Sequence, residues 1–572
     1  MHDLILRAGT VVDGTGAPPR TADVAVDGDR ITEVGSLKGE RAGREVDADG
    51  LLVTPGFVDM HTHYDGQATW DPLLSPSCWH GVTTVVMGNC GVGFAPVHPG
   101  TEEWLIQLME GVEDIPGTAL AEGITWGWES FPEYLDALER LPRSVDIGTQ
   151  VPHGAVRAYV MGERGARNEP ATPADIEAMA EIVLQGLNAG ALGFSTSRTI
   201  VHRAVDGEPV PGTFAAEDEL MGIGRALASA GRGVFEVAPA GVMGEDLLAP
   251  AKEVAWMCRL SAETGRPVTF ALAQHNRAPE QWRELLQLAE AATQDGAALR
   301  AQVMGRPTSL LVGWQTQTHP FRPRSSYKAI AHLPLEARIE RLRDPEVRAA
   351  ILAERNPDNP MADVVSAGLD RIFPMGEPPD YEPPPERSVA AIAAAEGRPA
   401  EEVLYDLMMA RDGKELLLLT LLGYSDGNLD AMREMLLHPN AALGLSDGGA
   451  HCGAICDASM PTFMLSHWAR DRDRGPTLDL ALVVRKMTYE TARTYGLEDR
   501  GVIAPGAKAD LNLIDFERLD LRLPKLVFDL PGGARRLVQE ADGYVATFVS
   551  GLQTMAEGKD TGARPGRLVR GK

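Results

Sequence analysis

Three short stretches carry residue types suited to hydrolytic chemistry. "HTHYDG" (61–66) sets His61 and His63 two residues apart, just after the apolar run "PGFVD" (55–59). Alternate side chains of a strand share a face, so both imidazoles point the same way. Two such nitrogens suit a transition metal such as zinc. "MGNCG" (87–91) closes the next apolar run with Cys90, and "GLSDGGAH" (444–451) puts Asp447 at the end of a late one. A carboxylate there would serve as general base toward a metal-activated water. Each stretch also has a plainer reading. H-x-H pairs arise incidentally, a lone cysteine is commonly a small buried hydrophobe, and an aspartate before glycines caps helices.

The elements that would position these residues alternate along the chain. Apolar strand-like runs occur at 56–61, 83–89, 144–151, 190–196, 233–238, 267–273, 299–305 and 441–447. Amphipathic helical stretches separate several of them, among them "PADIEAMAEIVLQGLNAG" and "PAKEVAWMCRLSAETG". Eight strands alternating with helices predict an α/β fold, a (β/α)8 barrel over residues 55–495. Residues 306–440 interrupt it as a long insertion that includes the Pro-rich "PMGEPPDYEPPPE" (374–386). Such an insertion at the catalytic end of a barrel is expected to be a lid, the alternative being a surface for homo-oligomer formation. Residues 1–54 and 496–572 share a strand-and-turn texture and are expected to build one small β domain.

Bulk properties narrow the partners. The 572 residues carry 54 basic and 81 acidic side chains, a net charge of −27, which argues against nucleic-acid or anionic-membrane partners. Five widely spaced cysteines (Cys78, Cys90, Cys258, Cys452, Cys456) do not form a disulfide framework. Cys452 and Cys456 are C-x3-C spaced, but without a second pair they do not make a structural zinc site. The first residues lack a signal-peptide core, and the expected location is the cytoplasm.

Five stretches, "GFVDMHTHYDG", "GVTTVVMGNCGVGFAP", "GALGFSTS", "HPNAALGLSDGG" and "GVIAPGAKADLNLID", lie in order along nearly the whole chain. Together they resemble the amidohydrolase superfamily, in particular its N-acyl-D-amino-acid deacylase branch. The resemblance implies a metal-dependent hydrolase of non-peptide amide bonds that uses metal-activated water, with one or two zinc ions or another divalent metal. On the matching positions His61, His63 and Cys90 would be metal ligands and Asp447 the catalytic acid/base. Many amidohydrolases bridge two metals with a carboxylated lysine of the fourth strand. No lysine lies between Lys38 and Lys252, so a thiolate bridge or a one-metal site would replace that device.

The sequence departs from the family at two strands. Glu236 stands in the fifth where the family has a histidine, and the sixth offers Gln274 followed by His275. Glu236 would bind metal through oxygen, and His275 would do so after a one-residue shift. His153 and Arg157, after the third strand, are candidate substrate contacts, and Arg157 or Arg198 would hold a carboxylate by a bidentate pair. His451 would orient substrate or bind metal, while Tyr64 and Trp70 would wall the pocket. The expected substrate is a small N-acyl-D-amino acid. The alternatives are a cyclic amide or ureide, a barrel with a degraded metal site used for binding, and a metal-free hydrolase with Cys90 as nucleophile.

Overall fold

The computed structural model describes residues 1–356 and 359–571. Phe57–Asp59, Val82–Met87 and Asp146–Thr149 pair in parallel as one sheet. One residue further on, Val151–Pro152 opens a second parallel sheet. It continues through Gly193–Ser197, Val234–Ala238, Val268–Ala271, Leu299–Val303 and Ala441–Leu443. Thr62 bridges Gly448 in parallel between the loops that follow the first and last of these strands. The strands are short and buried on both faces, as "VTTVVM" is throughout. Short, mostly apolar runs with a few buried polar residues therefore mark them, rather than alternation.

The helices between them show their sequence signals in place. Pro173–Ala189 starts from a reciprocal Thr172–Asp175 capping box with Pro173 in its first turn. It stops at Gly190, whose φ of 112° is open to glycine and costly for other residues. Met179, Val183 and Leu187, four apart, form its buried stripe. No helix among the described residues is long and apolar enough to cross a membrane.

The chain ends meet in one sheet. Leu52–Pro55 lies between His2–Val11, which it pairs in parallel, and Leu511–Ile514, which it pairs in antiparallel register.

The insertion is a folded unit. Thr308–Val312, Ile372–Pro374 and Leu417–Leu422 make an antiparallel sheet. Around it Trp314, Phe321, Tyr327, Tyr405 and Leu419 form a separate apolar cluster. Its Pro-rich segment carries the anchor to the rest of the molecule. Glu382, 2% exposed, accepts bonds from Arg472 Nε and Nη2 (both 3.0 Å) and lies 2.9 Å from His467 Nε2. Burial alone would raise this carboxyl, but His467 and Arg472 hold it down at about 2. Arg472→Met leaves the buried carboxylate with only His467 and the Leu429 amide and is expected to cost about 3–5 kcal/mol near neutral pH. A depressed carboxyl contributes stability above its ordinary pKa and loses it as pH falls toward the folded value. The deficit should therefore shrink as pH drops below about 4.5, read as the difference in unfolding midpoint between variant and parent.

Candidate metal centre

His61 and His63 sit just beyond the first strand, on a segment stitched to the loop that follows the last. Asp447 N–H donates to His61 O (3.2 Å) and His63 N–H to Gly448 O (2.8 Å), so this backbone pairing brings Asp447 beside both imidazoles. Asp447 Oδ1 is 3.5 Å from His61 Nε2 and 3.7 Å from His63 Nε2. Cys90 follows the second strand, its Sγ 3.4 Å from His61 Nε2 and its N–H donating to Glu236 Oε2 at 3.0 Å. The ligand atoms of His61, His63 and Cys90 lie within 4.8 Å of one another, and all three residues are buried.

The loops hold these groups in costly conformations. Cys90, Leu445, Asp447 and His451 all have φ between 48° and 60°. Left-handed backbone at residues with a Cβ is uncommon and collects at functional sites, at roughly 1–3 kcal/mol each.

The electrostatics favour a cation. Burial pushes the Asp59 and Asp65 carboxyls up to about 7 and Glu236 up to about 8, and it raises Glu113 as well. Asp447 goes the other way: burial would raise it, but His63, His61 and His451 hold it well below the usual carboxylate range. Burial lowers His61 to about 4, and its Nδ1 lies 2.8 Å from Gln302 Oε1. A neutral ring donating Nδ1–H to that oxygen has its lone pair on Nε2, toward Cys90 and Asp447. His63 would also be lowered by burial, but Glu113 and Asp447 outweigh it and keep the ring at about 9. Burial and the neighbouring Glu236, Glu113 and Asp447 push the Cys90 thiol well above its ordinary value. Buried carboxylates around nitrogen and sulfur donors, with one strong imidazolium among them, fit a divalent transition metal.

The other sequence candidates separate into those at the centre and those away from it. His451 is at the centre, Nε2 3.8 Å from Glu113 Oε2 and 3.9 Å from Asp447 Oδ2. Glu236 is adjacent: one oxygen holds the Cys90 amide, and the other has no hydrogen-bond partner among the described residues. His275 is held away from the His61–His63–Cys90 cluster. The sixth strand has ended at Ala271, and the His275 backbone bridges Leu422 of the insertion. Its Nε2 lies 3.1 Å from Gln281 Oε1, and its Nδ1 accepts from Ala278 N–H. Gln274 is also turned away, bonded to Asp426 and to the Ser425 amide.

Three expected substrate contacts prove to be internal ties. His153 lies between Thr196 Oγ1 (2.8 Å) and Glu219 Oε1 (2.9 Å), and Arg157 Nε is 2.8 Å from the same Glu219 oxygen. Arg198 donates to the carbonyls of Gly212 and Ala215 and faces Glu253. Tyr64 is fully buried against Ser77, and Trp70 packs against Gly123, so neither walls the cavity.

Several site residues carry no local sequence signal. Glu113 ends the helix Glu102–Glu113, with Oε1 3.4 Å from His63 Nδ1. Gln302, on the seventh strand, fixes His61 and donates to Thr269 Oγ1. His202 approaches on the loop after the fourth strand, its Nδ1 3.0 Å from Ser197 Oγ.

The centre opens into a cavity of about 870 Å3, lined also by Glu113, His202 and His451 and, from the insertion, by Thr318, His319, Arg322 and Lys328. Buried His, Cys and Asp side chains thus gather just beyond the ends of parallel strands, beside a cavity that the insertion helps to line. The profile described as "Amidohydrolase family" matches residues 44–554, and the chain belongs to that family of carbon–nitrogen hydrolases. It is 28% identical over 569 residues to D-aminoacylase of Alcaligenes xylosoxydans xylosoxydans, which covers 99% of this chain and 97% of that one. To N-acyl-D-glutamate deacylase of the same organism it is 34% identical over 232 residues, 40% and 42% of the two chains. A D-aminoacylase structure solved to study its binuclear metal centre superposes with a TM-score of 0.65 at 25% identity, covering 100% of both chains.

Proposed function

We propose that this protein hydrolyses the amide bond of N-acyl-D-amino acids with a bound divalent metal, zinc being the first candidate. The observation that carries the reading is the buried His61–His63–Cys90 cluster with Asp447 against it, at the base of the large cavity. His61 and His63 would hold the metal through Nε2 and Cys90 through Sγ, with Asp447 beside them and Glu236 supporting the Cys90 backbone. Glu113, against His63 Nδ1, sets that ring with Nε2 toward the centre. Held by His61, His63 and Cys90, a metal would supply Lewis acidity toward the acyl carbonyl and toward water. Asp447, held ionised, takes a proton from the attacking water and passes it to the departing amine nitrogen. His451, its Nε2 3.8 Å from Glu113 and 3.9 Å from Asp447, stabilises the charge on both as it shifts.

The cavity wall supports an acidic substrate. Arg322 and Lys328 line it, and among the described residues neither meets a carboxylate within ion-pair distance. They are free to take the substrate carboxylate, the role that Arg157 and Arg198 cannot fill. The architecture is read in the same way: residues 55–495 as a (β/α)8 barrel, 1–54 and 496–572 as one β domain, and 306–440 as the lid.

The test is metal content by mass spectrometry, followed by hydrolysis of N-acyl-D-amino acids, their L-enantiomers and hydantoins before and after chelation. The reading expects about one equivalent of metal and chelator-sensitive release of D-amino acids. Activity on hydantoins alone would move the assignment to the cyclic-ureide class. Full activity without metal would make Cys90 the nucleophile, which its raised thiol pKa disfavours.

A further inference from the structure

The cavity is far larger than the metal centre needs. The insertion adds polar groups to its lining, Gln317, Thr318, His319, Arg322 and Lys328 among them. Much of the remaining lining is apolar: Met243, Met304, Leu310, Leu422, Leu445 and Ile455. These six come from the loop after the fifth strand, the end of the seventh, the insertion sheet and the segment after the last strand. The apolar surface is thus assembled from four separate parts of the fold. At the rim, Val201 (47% exposed) and Met361 (48% exposed) continue it into solvent. Val364, one turn along from Met361 on the same helix, is 43% exposed as well.

An amide with a two-carbon acyl group and a short side chain would occupy little of about 870 Å3 and leave this wall facing water. Cavities that bind small molecules run from about 300 to 1,000 Å3 and enclose most of the ligand surface. Burying apolar surface is the main source of favourable binding there. We propose that the substrate amide carries an extended unbranched aliphatic arm, laid along this wall from the metal centre toward Met361. The inference rests on the N-acyl amino acid reading for the bond that is cleaved. The arm itself belongs either to the acyl group or to the amino-acid side chain, and both present the same chemistry to the wall.

Two substrate series separate these sources. In one the acyl group of an N-acyl-D-alanine grows from two to twelve carbons. In the other the acyl group stays acetyl while the D-amino-acid side chain lengthens as an n-alkyl chain. A methylene moved from water to an apolar wall is worth about 0.8 kcal/mol, so kcat/KM should rise by up to about fourfold per carbon in at least one series, then level off. Values that are flat or falling in both series overturn the inference.

Ala331 and Met361 lie on the insertion side of the cavity and outside the catalytic set. Ala331→Phe, at a half-buried position ending the helix Ser325–Ala331, should shorten the cavity. It is expected to lower kcat/KM at least tenfold for the longest substrate and by less than twofold for the acetyl compound. Met361→Glu, a change at an exposed position, should act in the same direction through the charge it adds to the rim. An equal loss at all chain lengths in both variants overturns the arm.

A binding measurement keeps this inference separate from the hydrolytic assignment. Decanoate and acetate are titrated calorimetrically into the metal-loaded parent and into Ala331→Phe. Decanoate binding at least tenfold tighter than acetate, and weakened by Ala331→Phe, supports the arm even if no N-acyl amino acid is hydrolysed. Hydrolysis confined to the shortest members of both series, with no decanoate binding, would leave the N-acyl amino acid reading standing and overturn the arm.

Discussion

Asp447→Asn should lower kcat by about 10²–10⁴-fold while leaving KM, metal content and the unfolding midpoint close to those of the parent. The substitution is clean for a structural reason. Asp447 has φ 48°, and asparagine is among the few residues with a Cβ that accept this conformation readily. The backbone bond from residue 447 to His61 O is also untouched. What changes is the capacity to take and return a proton 3.5 Å from His61 Nε2 and 3.7 Å from His63 Nε2. The check is steady-state kinetics with metal analysis of the same preparation. A loss smaller than tenfold would remove Asp447 from the proton transfer.

The second large effect concerns the metal. Cys90→Ala removes the sulfur donor and leaves His61 and His63 to hold the ion with Asp447. Dialysed protein should then retain less than a tenth of the metal bound by the parent. Catalysis should fall by about 10³-fold or more, since carbonyl polarisation is worth several kcal/mol and each 1.36 kcal/mol is tenfold in rate. A ligand that binds only the folded state stabilises it, so the unfolding midpoint should drop toward that of the chelated parent. Cobalt(II) gives a second readout. The parent should show thiolate-to-metal charge-transfer absorption in the near ultraviolet, and Cys90→Ala should lack it. Undiminished metal content together with unchanged cobalt spectra would place the ion on other donors. Glu236, with one oxygen unpartnered, would then be the first to examine.

Glu236 and Gln274 show how far the sequence reaches into the site. Their identities break the expected histidine pattern, which is visible without any structure. What they do instead is not. Glu236 serves the Cys90 backbone, and Gln274 ties the end of the sixth strand to the insertion at Ser425 and Asp426. Both outcomes depend on segments far away in the chain. The same holds for His153, Arg157 and Arg198. As residue types they suit a carboxylate, yet Glu219, Glu253 and two backbone carbonyls already occupy them. No local pattern announces a buried ion pair whose partner lies dozens of residues away.

The sequence by itself largely determined the strand positions, because strands buried on both faces are short and mostly apolar and the helices between them carry one apolar stripe, although the run 144–151 splits between two sheets. It also marked His61, His63, Cys90 and Asp447, which emerge just beyond strand ends, because position after an apolar run fixes where a side chain appears. Only the tertiary structure decided which other groups meet them. Glu113 at a helix end, Gln302 on the seventh strand, His202 on a loop and His451 on a left-handed turn meet at the centre through packing across the whole molecule. It alone also decided that the insertion folds around its own apolar cluster and that the cavity lining is largely apolar, since that lining is assembled from four distant parts of the chain.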